Sequence, residues 1–164
     1  MDLADDSPDY KEALDLVSSL VSHDERGVEG LSKHPYFWSK QTRFKFLKGI
    51  WNKIKVLRNE KAVFQAPNTT ENFPYPQWTK EIDKIALNIM QKPGKTKPYS
   101  NSITDLLRFI RNLDEHPDTR ISNRIGDHAE YFLKLFPALT IYVYNSLRQN
   151  PKYSHFADIQ DPSL

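Results

Sequence analysis

The chain has 164 residues, of which 38% are hydrophobic and 12% aromatic, and a formal net charge of +2 at pH 7. This composition excludes an intrinsically disordered chain and fits one globular domain with a sizeable core. No apolar run approaches the roughly 20 residues of a membrane-spanning helix, and the first residues lack the features of a signal peptide. Cysteine is absent, which excludes disulfides and thiolate metal sites and agrees with a cytoplasmic location, the one we expect.

The charges are unevenly distributed along the chain. Residues 1–30 contain nine acidic and two basic residues, a balance of −7, whereas residues 31–61 contain nine basic residues and one acidic residue, a balance of +8. Two interpretations of the basic segment remain open. It is either an ordinary solvated helix face or a surface that attracts phosphate groups.

Helical patterns dominate the first half of the chain. Ser7 and Pro8 have the residue types of an N-cap and a first helical position, and apolar residues follow at helical spacing. After a break at residues 27–30, a long helix is predicted over residues 36–58. Residues 62–77 contain three prolines and are predicted to form a loop.

The same pattern continues through the middle of the chain. Trp78 opens an apolar stripe at helical spacing, and a basic turn follows at residues 91–98. Ser102 and Asp105 have the spacing of a capping box, and the helix that they introduce should end at Pro117.

The last part of the chain repeats these signals. Asp127 and Glu130 form a second cap pattern, and Pro137 suits the first turn of a final helix that runs to about Leu147. No stretch alternates convincingly as a strand. The sequence therefore predicts an all-α fold, a single compact domain of about six to eight helices.

One predicted helix carries side chains suited to cleaving a phosphodiester. Arg108, Asn112 and His116 are four residues apart and share one helix face, and Arg111 borders that face. RNA brings its own nucleophile, the 2′-hydroxyl, so that cleavage needs a base, charge stabilisation at phosphorus and an acid for the leaving 5′-oxygen. An imidazole, a guanidinium and an amide can supply acid–base chemistry, phosphate contacts and an oriented donor without a metal ion.

Position suggests a role for two of the candidates. His116 should lie at a helix C-terminus, where the helix dipole favours imidazolium, as suits a general acid. Tyr99 follows a turn that contains Lys92, Lys95 and Lys97, and its phenol could act as a base with help from these cations or could only orient the 2′-hydroxyl. From spacing alone an alternative stands, in which the polar face is solvated and His116 is simply a cap.

Several stretches resemble a known family. Residues 105–112, Asp-Leu-Leu-Arg-Phe-Ile-Arg-Asn, followed by His116, resemble the nuclease helix of the kinase-extension nuclease (KEN) family, and in particular its ribonuclease L branch. Residues 34–38 resemble the junction between kinase and nuclease in that family, and residues 141–144 are especially similar to the ribonuclease L branch. The resemblance extends over residues 34–147.

The resemblance implies a metal-independent endoribonuclease that cleaves single-stranded or looped RNA as a homodimer. Arg111, Asn112 and His116 would be catalytic with the assistance of Tyr99. Arg111 and His116 also fit the looser Arg-x4-His pattern of the wider HEPN ribonucleases. We expect six further side chains to contact the substrate: Arg108, Trp78, Lys95, Lys97, Tyr153 and Phe156.

Three of these substrate contacts are implied by the ribonuclease L branch, and each has a structural alternative. Trp78 contacts RNA or packs inside the nuclease, because it also opens an apolar stripe. Tyr153 and Phe156 lie near the substrate or only anchor the tail.

The resemblance divides the chain into three parts. Residues 1–31 resemble the acidic last helix of a kinase C-lobe, residues 32–150 form a KEN-type ribonuclease domain, and residues 151–164 form a tail. No glycine-rich phosphate loop is present, so that neither a nucleotide site nor a cofactor is expected. An active endoribonuclease is the favoured hypothesis. The alternatives are a catalytically silent module of the same fold that binds RNA or dimerises, and a helical adaptor for protein partners.

Overall fold

The computed structural model of the protein describes residues 7–21, 31–57, 60–64, 73–91 and 97–158. Eight α-helices have both of their ends in this part of the chain, and it contains no strand. The prediction of an all-α domain of six to eight helices is therefore confirmed. None of the helices in the described ranges is long and apolar enough to cross a membrane.

The helices are short, between four and fifteen residues long. In chain order they are α1 (Pro8–Val21), α2 (Lys40–Ile54), α3 (Trp78–Glu81), α4 (Lys84–Met90), α5 (Ile103–Glu115), α6 (Thr119–Ile125), α7 (His128–Leu135) and α8 (Leu139–Arg148). Three short 3-10 turns span Pro35–Phe37, Glu60–Phe64 and Ser154–Phe156.

Side-chain caps fix the starts of three helices where the sequence predicted them. Ser7, Ser102 and Asp127 each accept a hydrogen bond from the backbone N–H three residues later, at 3.1, 3.2 and 2.8 Å. Each bond satisfies one of the N–H groups that a helix start leaves without a partner. The predicted starts of α1, α5 and α7 are therefore confirmed.

The long helix predicted over residues 36–58 is shorter at both ends. Pro35–Phe37 forms a 3-10 turn, and the Ser39 hydroxyl caps α2 by accepting from the N–H of Thr42 at 3.1 Å, so that the helix runs only from Lys40 to Ile54. The predicted loop at residues 62–77 begins inside the 3-10 turn Glu60–Phe64. The predicted break at residues 27–30 lies outside the described residues.

The stripe that begins at Trp78 forms two helices instead of the predicted single helix. Ile82 is extended, with a ψ of 143°, and the Asp83 carboxylate restarts the helix by accepting from two backbone N–H groups at 2.9 and 3.0 Å. The Arg124 guanidinium pairs with this carboxylate at 2.8 Å and holds its pKa down at about 2. The Tyr131 hydroxyl also accepts from the Asp83 N–H, at 2.8 Å.

The core is centred on α2 and α5, which make the most extensive helix–helix contact in the described part of the chain. The buried side of α5 is apolar and at most 1% exposed, at Leu106, Leu107, Phe109, Ile110 and Leu113. Burial of large apolar side chains typically contributes about 1.5–3 kcal/mol each, so α5 is held firmly in the core. Its polar side is thereby presented from a rigid support.

Some residues of the acidic segment contact residues of the basic segment in the fold. Arg43 on α2 is buried, and its guanidinium lies 2.8 Å from the Asp9 carboxylate and 2.5 Å from the Glu12 carboxyl, both on α1. The buried His34 contacts Asp15 of α1 at 2.9 Å. Part of the positive charge of residues 31–61 is therefore used to hold α1 against the domain.

Glu12 should make the stability of the fold depend on pH. Burial raises the pKa of its carboxyl from 4.5 to about 8, against the lowering influence of Arg43. Between these two values the folded protein holds a proton that the unfolded chain releases, so that stability should fall by a few kcal/mol as the pH rises through this window. We expect Glu12→Gln to flatten this dependence in thermal denaturation at pH 5 and pH 8.

An exposed glutamate on α3, Glu81, provides the matched control. Glu81→Gln removes the same charge from a solvated position and should leave the pH dependence of the melting temperature as in the original protein. Equal slopes for the original protein and Glu12→Gln would contradict the prediction.

Candidate active site

The C-terminal half of α5 carries the predicted catalytic side chains away from the core. Arg111 and Asn112 are half-buried, and His116, which caps the helix, is exposed. The backbone N–H of His116 donates to the Asn112 carbonyl at 3.0 Å, and Pro117 follows outside the helix. The helix therefore ends where the sequence predicted, with the imidazole on the last turn and open to solvent.

Three of the predicted catalytic residues form a continuous hydrogen-bonded chain. Arg111 Nη1 donates to Asn112 Oδ1 at 3.0 Å, and Asn112 Nδ2 donates to the Tyr99 hydroxyl at 3.1 Å. The two bonds together fix the orientation of the Asn112 amide. One N–H of that amide is used by Tyr99, which leaves the second N–H for a ligand.

Arg111 has a second partner on its own helix. Its Nη2 forms an ion pair with the Glu115 carboxylate one turn later. The guanidinium side chain is 21% exposed and that of Glu115 is 39% exposed, so the pair lies at the surface. A phosphate that binds Arg111 must therefore share the guanidinium with Glu115 or displace it.

An open cavity of about 530 Å³ lies beside His116. Asn112, Glu115 and His116 form one side of it, and Ile89 and Met90 of α4 contribute an apolar wall. The sequence did not indicate this wall, because spacing along α5 says nothing about which residues of α4 lie across from it. His116 and Asn112, predicted to act together, thus border the same open space.

Residues 43–160 match the sequence model of a family described as ribonuclease 2-5A. The chain belongs to this family. It is 33% identical over 171 aligned positions to the 2-5A-dependent ribonuclease of Homo sapiens, and 32% identical over 165 positions to that of Mus musculus. The alignments cover 96% and 92% of this chain but only 23% and 22% of the relatives, so that the chain spans less than a quarter of their length. The resemblance seen in the sequence is confirmed.

Within this ribonuclease 2-5A domain, Arg108 is engaged by the segment before α5. Its Nη2 donates to the carbonyls of Lys97 and Pro98 at 2.9 and 3.1 Å and pairs with Asp105 at 3.2 Å. Its guanidinium also lies 4.4 Å from the centre of the Tyr99 ring. These contacts position Tyr99 against α5, a role that the sequence did not suggest. The predicted substrate contact of Arg108 would have to compete with them.

Trp78 is fully buried behind the hydrogen-bonded chain. Its indole N–H donates to the Ser102 carbonyl at 3.2 Å, and its ring packs against those of Tyr99 and Phe109 at 6.1 and 5.6 Å. Of the two roles that the sequence left open for Trp78, the geometry favours packing within the domain. Trp78 supports the ring of Tyr99 from the core side.

Two lysines of the turn before α5 were predicted to contact the substrate. Lys97 is exposed, and its carbonyl is tied to α5 through Arg108. Lys95 lies outside the described residues, as does Lys92 of the same turn.

The tail aromatics pack against the domain. Tyr153 is buried and Phe156 half-buried, with 5.8 Å between their ring centres, and the Lys53 ammonium lies 5.6 Å from the Phe156 ring. Asn150 ties the start of the tail to the 3-10 turn Glu60–Phe64 through hydrogen bonds to two carbonyls at 3.2 and 3.3 Å. Neither aromatic is among the described residues that line the cavity beside His116, and their contact with the substrate stays a prediction.

Proposed function

We propose that this ribonuclease 2-5A domain is a metal-independent, cytoplasmic endoribonuclease that cleaves single-stranded or looped RNA. Attack of the 2′-hydroxyl on the adjacent phosphorus would leave a 2′,3′-cyclic phosphate and a 5′-hydroxyl. The observation that carries the proposal is the hydrogen-bonded chain of Arg111, Asn112 and Tyr99 beside the cavity that His116 lines. The names of the two relatives, both ribonucleases, support it.

Arg111 and Asn112 stabilise the charge that develops on the phosphate. The guanidinium binds a non-bridging oxygen through Nη2, and the remaining amide N–H of Asn112 donates to the same phosphate. The 3.0 Å hydrogen bond from Arg111 Nη1 to Asn112 Oδ1 orients that amide before the substrate binds. Such preorganised donors favour the transition state because they need no rearrangement during the reaction.

Tyr99 and His116 handle the protons. The Tyr99 oxygen already accepts from Asn112, so that its own O–H can donate to the 2′-oxygen and orient it. The proton of the 2′-hydroxyl is released to water while the phenol holds the 2′-oxygen in place. His116, exposed on the cavity, protonates the leaving 5′-oxygen. No step of this scheme calls for a Lewis acid.

A homodimer, which the resemblance implies, is part of the proposal. Sedimentation should show a dimer at the concentrations at which the protein is active. A monomer with full activity would contradict this part alone.

The test is incubation of the protein with single-stranded RNA in excess EDTA, followed by identification of the new termini. We expect 2′,3′-cyclic phosphate and 5′-hydroxyl ends, and we expect no cut where a single 2′-deoxynucleotide replaces the scissile ribonucleotide. Termini of the opposite kind, or cleavage that EDTA abolishes, would contradict the proposal. RNA binding without any cleavage would instead favour the catalytically silent module.

A further inference from the structure

The cavity beside His116 has two chemically different sides. Asn112 and His116 are polar and belong to the proposed catalytic set. The side chains of Ile89, Met90 and Pro117 also line the cavity and are apolar. The proposed mechanism uses none of them. A volume of about 530 Å³ is within the roughly 300–1,000 Å³ typical of small-ligand sites.

The acidic groups around the cavity are already paired. Glu115 is held by Arg111, and the Asp118 carboxylate accepts from Arg120 at 2.7 and 3.0 Å, which lowers the pKa of Asp118 to about 2. In the structure, their negative charge is therefore balanced by guanidinium groups. An occupant of this cavity would be recognised by its apolar area more than by hydrogen bonds at its edge.

We infer that this cavity binds the nucleobase on the 3′ side of the scissile phosphate, and that it binds purines more tightly than pyrimidines. The inference depends on the proposed function, because the leaving 5′-oxygen that His116 protonates belongs to the 3′ nucleotide. His116 lines the same cavity as Ile89, Met90 and Pro117, so a base next to that oxygen would lie beside their apolar surface. The faces of bases are apolar and polarisable, and methionine sulfur makes favourable contacts with aromatic rings.

The preference for purines follows from area. A purine covers more apolar surface than a pyrimidine. The favourable free energy of binding grows in proportion to the apolar area that is buried. Apolar area alone does not distinguish one base edge from another. Adenine and guanine should therefore bind similarly to each other.

The test uses dinucleoside monophosphates, because they have only one phosphate and hence one register. Binding of the non-cleavable 2′-deoxy forms is measured by NMR titration, with a purine, a pyrimidine or no base in the 3′ position. We expect removal of the 3′ base to weaken binding by about 5- to 150-fold, in line with the energy of stacking one base. A 3′-abasic compound that binds as tightly as its parent would overturn the inference.

Variants of α4 locate the base. Ile89→Ser should weaken binding of the 3′-purine compound by about 5-fold through lost apolar contact, and it should not weaken binding of the 3′-abasic compound. Ile85→Ser is the matched control, one turn earlier on α4, 44% exposed and outside the cavity lining. Thermal melting of both variants reports on the fold, and the comparison of bases on the original protein needs no variant.

The pattern of results separates this inference from the proposed function. The inference would be overturned if Ile89→Ser weakened binding of the 3′-abasic compound as well. It would also be overturned if the effect of Ile89→Ser disappeared only when the 5′ base was removed. Cleavage of the matching ribodinucleotides decides the nuclease activity on its own. Cleavage without dependence on the 3′ base would therefore leave the proposed function standing and remove the base site.

Discussion

Replacement of His116 by alanine should lower the rate of RNA cleavage by about 10²- to 10⁴-fold, the usual range for loss of a general acid or base. The fold should not change, because the imidazole is exposed and the cap at this position is made by the backbone N–H, which alanine retains. Circular dichroism and thermal melting of His116→Ala check the fold, and the initial rate on single-stranded RNA measures the effect.

A substrate with a better leaving group distinguishes the role of His116 as an acid from a role as a base. A ribonucleoside 3′-aryl phosphate releases a phenolate that needs no proton, so that a missing general acid should matter little. We expect His116→Ala to approach the rate of the original protein on this substrate and to remain slow on RNA. Equal losses on both substrates would contradict the assignment of His116 as the acid that protonates the 5′-oxygen.

Local signals in the sequence were sufficient to place the starts of α1, α5 and α7. The caps at Ser7, Ser102 and Asp127 bond to groups only three residues away, so that their geometry is contained in a short segment. The break at Asp83 is different, because Arg124 and Tyr131, which hold it, are 41 and 48 residues away in the chain. No apolar periodicity records such distant partners, and the stripe from Trp78 was therefore predicted as one helix.

The candidate site divides in the same way. Spacing along α5 predicted that Asn112 and His116 would share a face, and they border one cavity. The engagement of Arg108 could not be predicted, because its acceptors are backbone carbonyls whose positions depend on the path of the chain before α5. Spacing on one helix predicts which side chains share a face. Packing with the rest of the chain decides which of these side chains already have hydrogen-bond partners.

Arg111 illustrates the consequence for function. Its position beside the polar face of α5 predicted that Arg111 would bind phosphate. In the structure, its guanidinium already contacts both Glu115 and Asn112. The bond to Asn112 can persist when a phosphate binds, since it uses only Nη1. The Glu115 pair uses Nη2, the group that a phosphate oxygen would also approach. Exchange of one carboxylate for one phosphate keeps the charge of Arg111 balanced in both states.

Replacement of Asn112 by aspartate should lower the cleavage rate by about 10²- to 10³-fold, as expected for loss of one donor to the transition state. The two side chains have the same shape, and the acceptor for Arg111 remains in place. The change removes both N–H donors, including the one that holds Tyr99, and it places a negative charge beside the phosphate. The loss should appear in single-turnover rates at saturating RNA.

Asn52→Asp is the charge-matched control. Asn52 is exposed on α2 and accepts from Lys55 at 3.1 Å, so that a carboxylate there is well placed and should leave the rate unchanged. Asn112→Ala removes the donors without adding charge, and its rate separates the two contributions. An Asn112→Asp protein as fast as the original would contradict the role of the amide.

A double-mutant cycle tests whether Asn112 and Tyr99 act as one unit. Because a single hydrogen bond of 3.1 Å joins them, loss of either should disturb the position of the other. The combined losses of Asn112→Asp and Tyr99→Phe should therefore fall well short of the product of the two single losses. Independent effects would mean that Tyr99 acts on the substrate without the amide, and the proton of the 2′-hydroxyl would then be controlled by the phenol alone.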